Sequence, residues 1–518
     1  MKQYEMVEIS LQGPEPEGNQ VDINLKAVIN GAETVRGFYA GNGQYKIRFY
    51  PEKAGMYEVK IDGIIQKTVK VAVEPAEPGR HGLVRTKGTA FCYEDGTAFH
   101  PFGTTVYALI SQTDELIEQT MQTLEKAPFN KVRMCVFPKH YDFNHNEPSY
   151  YPFEKDENGA WDPSHPCFAF WDALDRHIKR LDSMGIQADL ILFHPYDRWG
   201  FDGMGLERDK EYLDYALRRL SGWPNIWWSL ANEYELCKRS IEDWYEIEQF
   251  TADHDPYHHL LSCHNIFTVW DASRPAVTHA SIQSKNLYKL NDWRRKFGKP
   301  VMLDECCYEG NIEPFWGSIT GKEMSRRFWR AVTTGAYCTH GETFYSDDDI
   351  LWWARGGKLK GESPARIAFC RKIIESLPGH LEGEDSLFTS LLGLIGKTKE
   401  EQEAFLTRVP EDARHVVRAF LVCPDAREFP ASETVWYGHI GNKVFLRFHD
   451  TRPLAQDTVK LPEGKKYRID VIDTWNMTRE TVARNVEKEY TVKLPGREDM
   501  AVLILEETAE QHERHRGD

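Results

Sequence analysis

The 518-residue sequence predicts an α/β protein: a (β/α)8 TIM barrel flanked by two small all-β sandwich domains. Three observations lead there. Short apolar runs alternate with amphipathic helices from about residue 86 to 382, the pattern of parallel βα units. Period-two alternation fills the first 75 or so residues, and strand-like runs return beyond about 383. The chain is also longer than one hydrophobic core usually supports, so several domains are expected.

In the N-terminal region Tyr45, Ile47 and Phe49 alternate with Lys46 and Arg48, and Tyr57, Val59 and Ile61 alternate with Glu58 and Lys60. The intervening PEKAG supplies a turn, so residues 1–80 read as a sandwich of half-buried antiparallel strands, ending in the Pro/Gly linker AVEPAEPGRHG. Within 86–382, Trp171, Leu174, Ile178 and Leu181 mark a helix over about 168–184, stopped by Gly185. A second helix starts at Ser240 with Asp243 three residues on, and a third at Ser363-Pro364. Eight runs read as barrel strands: Phe99–Thr105, Lys131–Phe137, Gln187–Phe193, Ile226–Ala231, Leu260–Cys263, Val277–Ile282, Pro300–Leu303 and Ala336–Thr343. A barrel takes about 250 residues, which fits. The competing doubly wound sheet would want a Gly-rich phosphate turn after an early strand, and there is none. KVFLRFHD, KKYRIDVID and MAVLILEE place a second sandwich at 383–510, and the charged tail 511–518 reads as disordered.

A net charge of −16 without clustered Lys and Arg argues against nucleic acid and anionic membranes as partners. The N-terminus has no apolar core of signal-peptide length and no run spans a bilayer, so a cytoplasmic address is expected. Ten Cys without paired spacing suit reduced thiols better than disulfides or zinc. The 12% aromatic content, with 15 Trp, suits stacking on flat apolar faces such as sugar rings, or filling cores.

Barrel enzymes carry their sites where strands end. The polar residues there are Arg133, His194 with Asp197, Asn232 with Glu233, His264 with Asn265, His279, Asp304 with Glu305, and His340 with Glu342. NIWWSLANEYE and KPVMLDECCYEG each end an apolar strand in a glutamate. Glycosidic cleavage needs such a pair: one carboxyl protonated to assist the leaving oxygen, the other ionised.

Those two segments resemble strands four and seven of the clan A barrel glycoside hydrolases. The resemblance implies Glu233 as general acid/base, Glu305 as nucleophile and Asn232 as partner of the sugar 2-hydroxyl. More narrowly, YEDGTAFHPFGTTVYALI, KVRMCVFPKHYDF, LILFHPYDRWGF and GETFYSDDDILWWARGGKLKGESPARIAF resemble the apiosidase-like hydrolases, in which the barrel lies between an immunoglobulin-like domain and a C-terminal sandwich. Arg133 would then lie near the nucleophile, or bridge to Asp304. His194 and His279 are candidate hydroxyl partners, Trp352 and Trp353 a candidate stacking floor, and Tyr308 is close enough in sequence to Glu305 to reach its pocket. Glu342, at the end of the last strand, is a further candidate substrate contact; with Glu235 and Glu309 it also competes for the acid/base role, and some apiosidase-like enzymes use Asp as acid. One departure stands out: many clan members carry a Tyr after strand six that bonds the nucleophile, whereas VTHASIQS offers only His279 and Gln283.

The expectation is thus a retaining, exo-acting hydrolase of short plant-derived glycosides or oligosaccharides, with no cofactor and no metal. A small carbohydrate is the expected partner, and a homo-oligomer is open. Two rivals are a metal-dependent barrel hydrolase, if His194, His264 and His279 converge, and a non-catalytic carbohydrate-binding protein. The first lacks a His-x-His on the first strand and an HExxH helix.

Overall fold

The computed structural model describes residues 1–384, 391, 394–407, 409–423 and 436–507. At its centre eight parallel strands run Gly103–Thr105, Lys131–Cys135, Gln187–Phe193, Ile226–Ala231, Leu261–Ser262, Ala280–Gln283, Val301–Glu305 and Tyr337–His340. They are hydrogen-bonded in the order fifth, fourth, third, second, first, eighth, seventh, sixth, and a parallel bridge between His264 and Ser281 joins the two ends of that row. The second, third, fourth and seventh strands are buried at every position. Helices cover their outer faces and side chains fill the interior, which is why these strands read as continuous apolar runs.

The helices follow local rules. Phe168–Ser183 buries Trp171, Leu174, Ile178 and Leu181 on one stripe. Ile241–His254 opens with a full capping box between Ser240 and Asp243. No helix among the described residues is long and apolar enough to cross a membrane, and all ten cysteines are free thiols.

The third and fourth strands keep the bounds expected from the sequence; the second, fifth and seventh shift by one or two residues, and the first, sixth and eighth by more. The expected first strand divides at Pro101: Ala98–Phe99 joins an antiparallel sheet with Ala90–Tyr93 and Val84–Lys87, and only Gly103–Thr105 enters the barrel. That sheet plugs the amino-terminal end of the barrel, where Val84, Phe91 and Phe99 pack on Trp227, Leu260, Met302 and Tyr337. The sixth strand begins at Ala280, three residues later than expected. The eighth breaks at Gly341, and Glu342–Thr343 pairs instead with Glu309–Gly310.

The N-terminal region forms two antiparallel sheets. Val7–Gln12, Gln44–Phe49 and Phe38–Tyr39 make one; Glu33–Arg36, Leu25–Ile29, Gly55–Gly63 and Lys67–Val73 make the other. Leu25, Tyr45, Ile47, Phe49 and Val59 fill the core between them. Together with the barrel they form one compact unit. The described residues between 372 and 507, with Asn286–Trp293 and Ser325–Ala336, form a second.

That second unit holds a six-stranded antiparallel sheet and a two-stranded one, Gln456–Lys460 with Glu489–Lys493. Val459, Tyr467, Ile469, Val492, Val502 and Ile504 pack among them. It also holds helices Lys399–Leu406 and Arg414–Leu421, which an all-β reading of 383–510 does not anticipate. Thr398 and Glu401 form a capping box on the first, a signal present in the sequence as T-x-x-E. The tail 511–518 lies outside the described residues.

Within the first unit a buried ion network ties the N-terminal sheet to the barrel helices. Asp175 takes both Arg48 Nη1 and Nη2 (2.6 and 2.9 Å), Arg219 Nε (2.9 Å) and Trp223 Nε1 (2.9 Å). Removing one member of a buried pair leaves uncompensated charge. Asp175→Ala should therefore cost about 3–5 kcal/mol in denaturant unfolding; a loss within ~0.5 kcal/mol, the range of an ordinary surface change, would contradict this network's role.

Candidate active site

The carboxyl-terminal ends of the barrel strands gather the site. Glu233 follows the fourth strand in the left-handed region, φ +53° and ψ +58°. A side chain other than Gly or Asn is disfavoured there by about 1–2 kcal/mol. The conformation is held from both sides, by Asn232 N donating to Phe193 O (3.0 Å) and Tyr234 N donating to His264 O (3.0 Å). Such retained strain is typical of functional sites. Glu305 ends the seventh strand, its carbonyl accepting from Ser284 N (2.9 Å), and both glutamates are buried.

Tyr107, two residues beyond the first strand, donates its hydroxyl to Glu305 Oε1 and stands 2.9 Å from Asn232 Oδ1. Arg133 Nη2 also approaches that Asn232 oxygen (3.5 Å). With its oxygen so engaged, the Asn232 amide has its Nδ2 hydrogens to offer a ligand hydroxyl. Arg133 Nη1 is 3.9 Å from Glu305 Oε1, and its Nε is 3.9 Å from Asp304 Oδ1 and 3.7 Å from Asp189 Oδ2. Both sequence readings of Arg133 therefore describe one guanidinium. Burial opposes its charge, but Tyr107, Asp304, Asp189 and Glu305 hold its pKa above the ordinary range.

Glu233 sits in different company. Tyr196, three residues past the third strand, donates to its Oε2. Gln283, with its amide nitrogen turned to face these acceptors, donates to Glu233 Oε1 (3.1 Å) and Asn265 O (3.2 Å). Burial first, and the nearby Glu305 second, push the Glu233 pKa up to about 7, against the opposing pull of Lys139, Tyr196 and Gln283. At neutral pH this carboxyl is poised between its two protonation states, the condition for general acid/base work. Lys139 is 2% exposed, its Nζ 3.5 Å from the Tyr107 ring centroid and 4.1 Å from that of Tyr196.

Other sequence-selected residues divide. Trp353 packs by its ring on Tyr107, Tyr141 and Tyr308 (5.8, 5.3 and 5.2 Å between centroids), so it belongs to this cluster. Trp352 turns inward and donates Nε1 to Thr104 Oγ1 (2.8 Å). Tyr308 is buried, and burial together with the Glu305 charge raises its hydroxyl well above the usual tyrosine range. His194, at the end of the third strand, has its pKa lowered by burial to about 3 and, as a neutral ring, donates Nε2 to Phe137 O (3.1 Å).

His279 and Glu342 fall elsewhere. His279 precedes the sixth strand and packs at the opposite end of the barrel, on Phe91 and Trp227 (5.4 and 5.3 Å). The late start of that strand reverses the expected end. Glu342 sits on the paired Glu309–Gly310 and Glu342–Thr343 segments, accepting from Lys360 N (2.7 Å). With Glu309 and His340 it forms the one group among the described residues whose ligand atoms lie near enough, within 4.8 Å, to share a metal ion. Glu309 there already accepts from Glu362 N (2.7 Å), Ser363 N (3.1 Å) and Ser363 Oγ, capping the helix Ser363–Glu375. A cation would have to displace these donors. The convergence of His194, His264 and His279 expected of a metal-dependent hydrolase does not occur.

Tyr107, Tyr196 and Lys139 are the site residues that the sequence reading missed. All three lie in the motif segments GTTVY, FHPY and FPK, two to four residues beyond the end of a strand. The tyrosine lacking after the sixth strand has its counterpart in Tyr107, which reaches Glu305 from the first. As a test of the electrostatics, Glu305→Gln should lower the Glu233 titration by about one unit or more, read by carboxyl 13C NMR. An unchanged midpoint would mean that the two groups do not sense each other.

The comparisons with known proteins converge. The model of the family described as "Apiosidase-like, catalytic domain" matches residues 85–378, and two domains of unknown function, DUF5060 and DUF5605, match 1–62 and 434–505. No curated protein matches the chain. Among solved structures, a "putative glycoside hydrolase" from Bacteroides vulgatus ATCC 8482 is 30% identical with a TM-score of 0.83, covering 98% of this chain and 99% of its own. A family 5 glycoside hydrolase from the same organism is 14% identical with a TM-score of 0.60, covering 83% and 95%, and shares the fold. With its barrel, its strand-end carboxylates and these matches, the chain belongs to the apiosidase-like family of glycoside hydrolases.

Proposed function

We propose that the protein hydrolyses glycosides with retention of configuration, Glu233 acting as acid/base and Glu305 as nucleophile. The observation that carries this is the asymmetry of the two buried carboxyls: one poised near pH 7 by burial and by its neighbour, the other held by Tyr107 and faced by Arg133. Protonated Glu233 gives its proton to the glycosidic oxygen as the bond breaks. A Glu305 oxygen bonds to the anomeric carbon, forming a covalent glycosyl-enzyme. Esterification removes the Glu305 charge that had raised the Glu233 pKa, so Glu233 becomes a stronger acid and is left as carboxylate. In that form it takes a proton from water as the water oxygen attacks the same carbon, releasing the sugar and restoring both groups. Asn232 Nδ2 bonds the 2-hydroxyl, and Trp353 with Tyr308 supplies ring surface beneath the sugar.

We further place the substrates among short plant-derived glycosides or oligosaccharides, cut from one end, in keeping with the family likeness and the expected cytoplasmic address. A panel of aryl glycosides and short plant oligosaccharides, with the first product anomer followed by NMR, tests the reading. The expected result is one sugar released with its configuration retained, no turnover by Glu305→Gln, and a loss of about 10²–10⁴-fold for Glu233→Gln on a substrate with a poor leaving group. An inverted first product, or normal turnover by Glu305→Gln, would overturn it.

A further inference from the structure

Lys139 has no part in the scheme above, yet its ammonium occupies the middle of the site. It follows the second barrel strand, in a backbone held by Asn144 Nδ2 donating to its carbonyl (2.6 Å), with Asn144 itself fixed by Gln112 Nε2 (3.1 Å). Among the described residues no carboxylate pairs with it directly; aromatic faces surround it instead. Tyr107 and Tyr196 are nearest, then Tyr141 at 4.7 Å and Trp353 at 6.0 Å. The two nearest rings are the two whose hydroxyls bond Glu305 and Glu233.

We propose that Lys139 is a positioning residue, whose ammonium between the faces of Tyr107 and Tyr196 locks both phenols onto their carboxylates and couples the protonation of the pair. A cation on an aromatic face is attracted to the ring. It also draws electron density from the phenol, which makes the hydroxyl a stronger donor. One ammonium thus acts on both carboxylates through separate tyrosines. Burial, with Arg133 adding to it, draws its pKa below the ordinary lysine range, and the Glu233 and Glu305 carboxylates pull the other way. Glu233 in turn feels Glu305, Lys139, Tyr196 and Gln283. Loss of the ammonium removes a cation that favours ionised Glu233, so the carboxyl must titrate at higher pH. This inference rests on the reading of Glu233 as acid/base, because only then does its titration govern turnover.

The test compares Lys139→Met, which keeps length and removes charge, with Lys139→Arg, which keeps charge. By carboxyl 13C NMR the Glu233 midpoint should rise in the first and stay near wild type in the second. The basic limb of the pH–rate profile should move up with it, and kcat should fall roughly tenfold or more while KM changes little. A Glu233 midpoint unmoved by Lys139→Met overturns the proposal. A readout on the unsubstituted protein covers the case of a variant that does not fold: the 15N resonance of Lys139 Nζ should shift with the Glu233 midpoint, and a resonance that does not respond overturns the proposal equally. If the wild type releases no sugar from any glycoside while these titrations are linked, the catalytic reading fails and the coupling stands.

Discussion

The site depends on a set of charges buried inside the barrel. Lys131 places its ammonium 2.8 Å from Asp304 Oδ1 and 2.6 Å from Asp189 Oδ2. Asp304 also accepts from Ser281 Oγ (2.5 Å) and Thr339 Oγ1 (2.8 Å), so one side chain joins the second, sixth, seventh and eighth strands. Taking such charges out of water is costly; Lys131, Ser281 and Thr339 together hold the Asp304 carboxylate ionised, whereas burial raises the Asp189 pKa above the usual carboxylate range despite Lys131. The consequence is positional. Asp304 is the residue before Glu305, so tying it to three other strands fixes the end of the seventh strand and the direction in which Glu305 leaves it. Arg133, two residues after Lys131 and on the same face of its strand, carries positive charge from that set up to Glu305.

Above this floor two chemically identical side chains acquire different properties. Glu305 faces a guanidinium and a phenol. Glu233, in a strained turn, faces a phenol, an amide and the charge of Glu305. Surroundings, and not the side chains themselves, set the two glutamates apart, and the proposed acid and nucleophile roles rest on that asymmetry. Tyrosines from the first and third strand ends hold the two carboxyls, so the pair is braced by elements that carry neither glutamate.

Much of the fold was legible because buried parallel strands write themselves as apolar runs and their helices as period-3.6 stripes. Gln187–Phe193 and Ile226–Ala231 show this, matching their expected bounds. Short strands were the weak point. In a four-residue strand an error of three residues exchanges the two ends, so His279 falls before the sixth strand and not after it. Glu342 lies off the barrel sheet because the chain breaks at Gly341 and forms a separate pair with Glu309–Gly310, an event with no periodic signature. Glu233 and Glu305 could be located from strand ends and motif. Tyr107, Tyr196 and Lys139 could not, because periodicity says nothing of where a side chain points once the strand has ended. The helices after residue 398 were hidden by their shortness, although their capping box was in view.

The central claim is that Glu305 becomes covalently attached to the sugar. A glycoside fluorinated at C2 and carrying a good leaving group slows both steps, by disfavouring the oxocarbenium-like state, and lets the glycosyl-enzyme accumulate. With such a reagent built on whichever sugar the enzyme releases, intact-mass measurement followed by peptide mapping reads the answer. The account predicts one sugar per chain on the peptide containing Glu305, lost again as activity returns. An adduct on Glu309, Glu342 or any other residue would contradict it, and so would a slow substrate that turns over with inversion and never labels the protein.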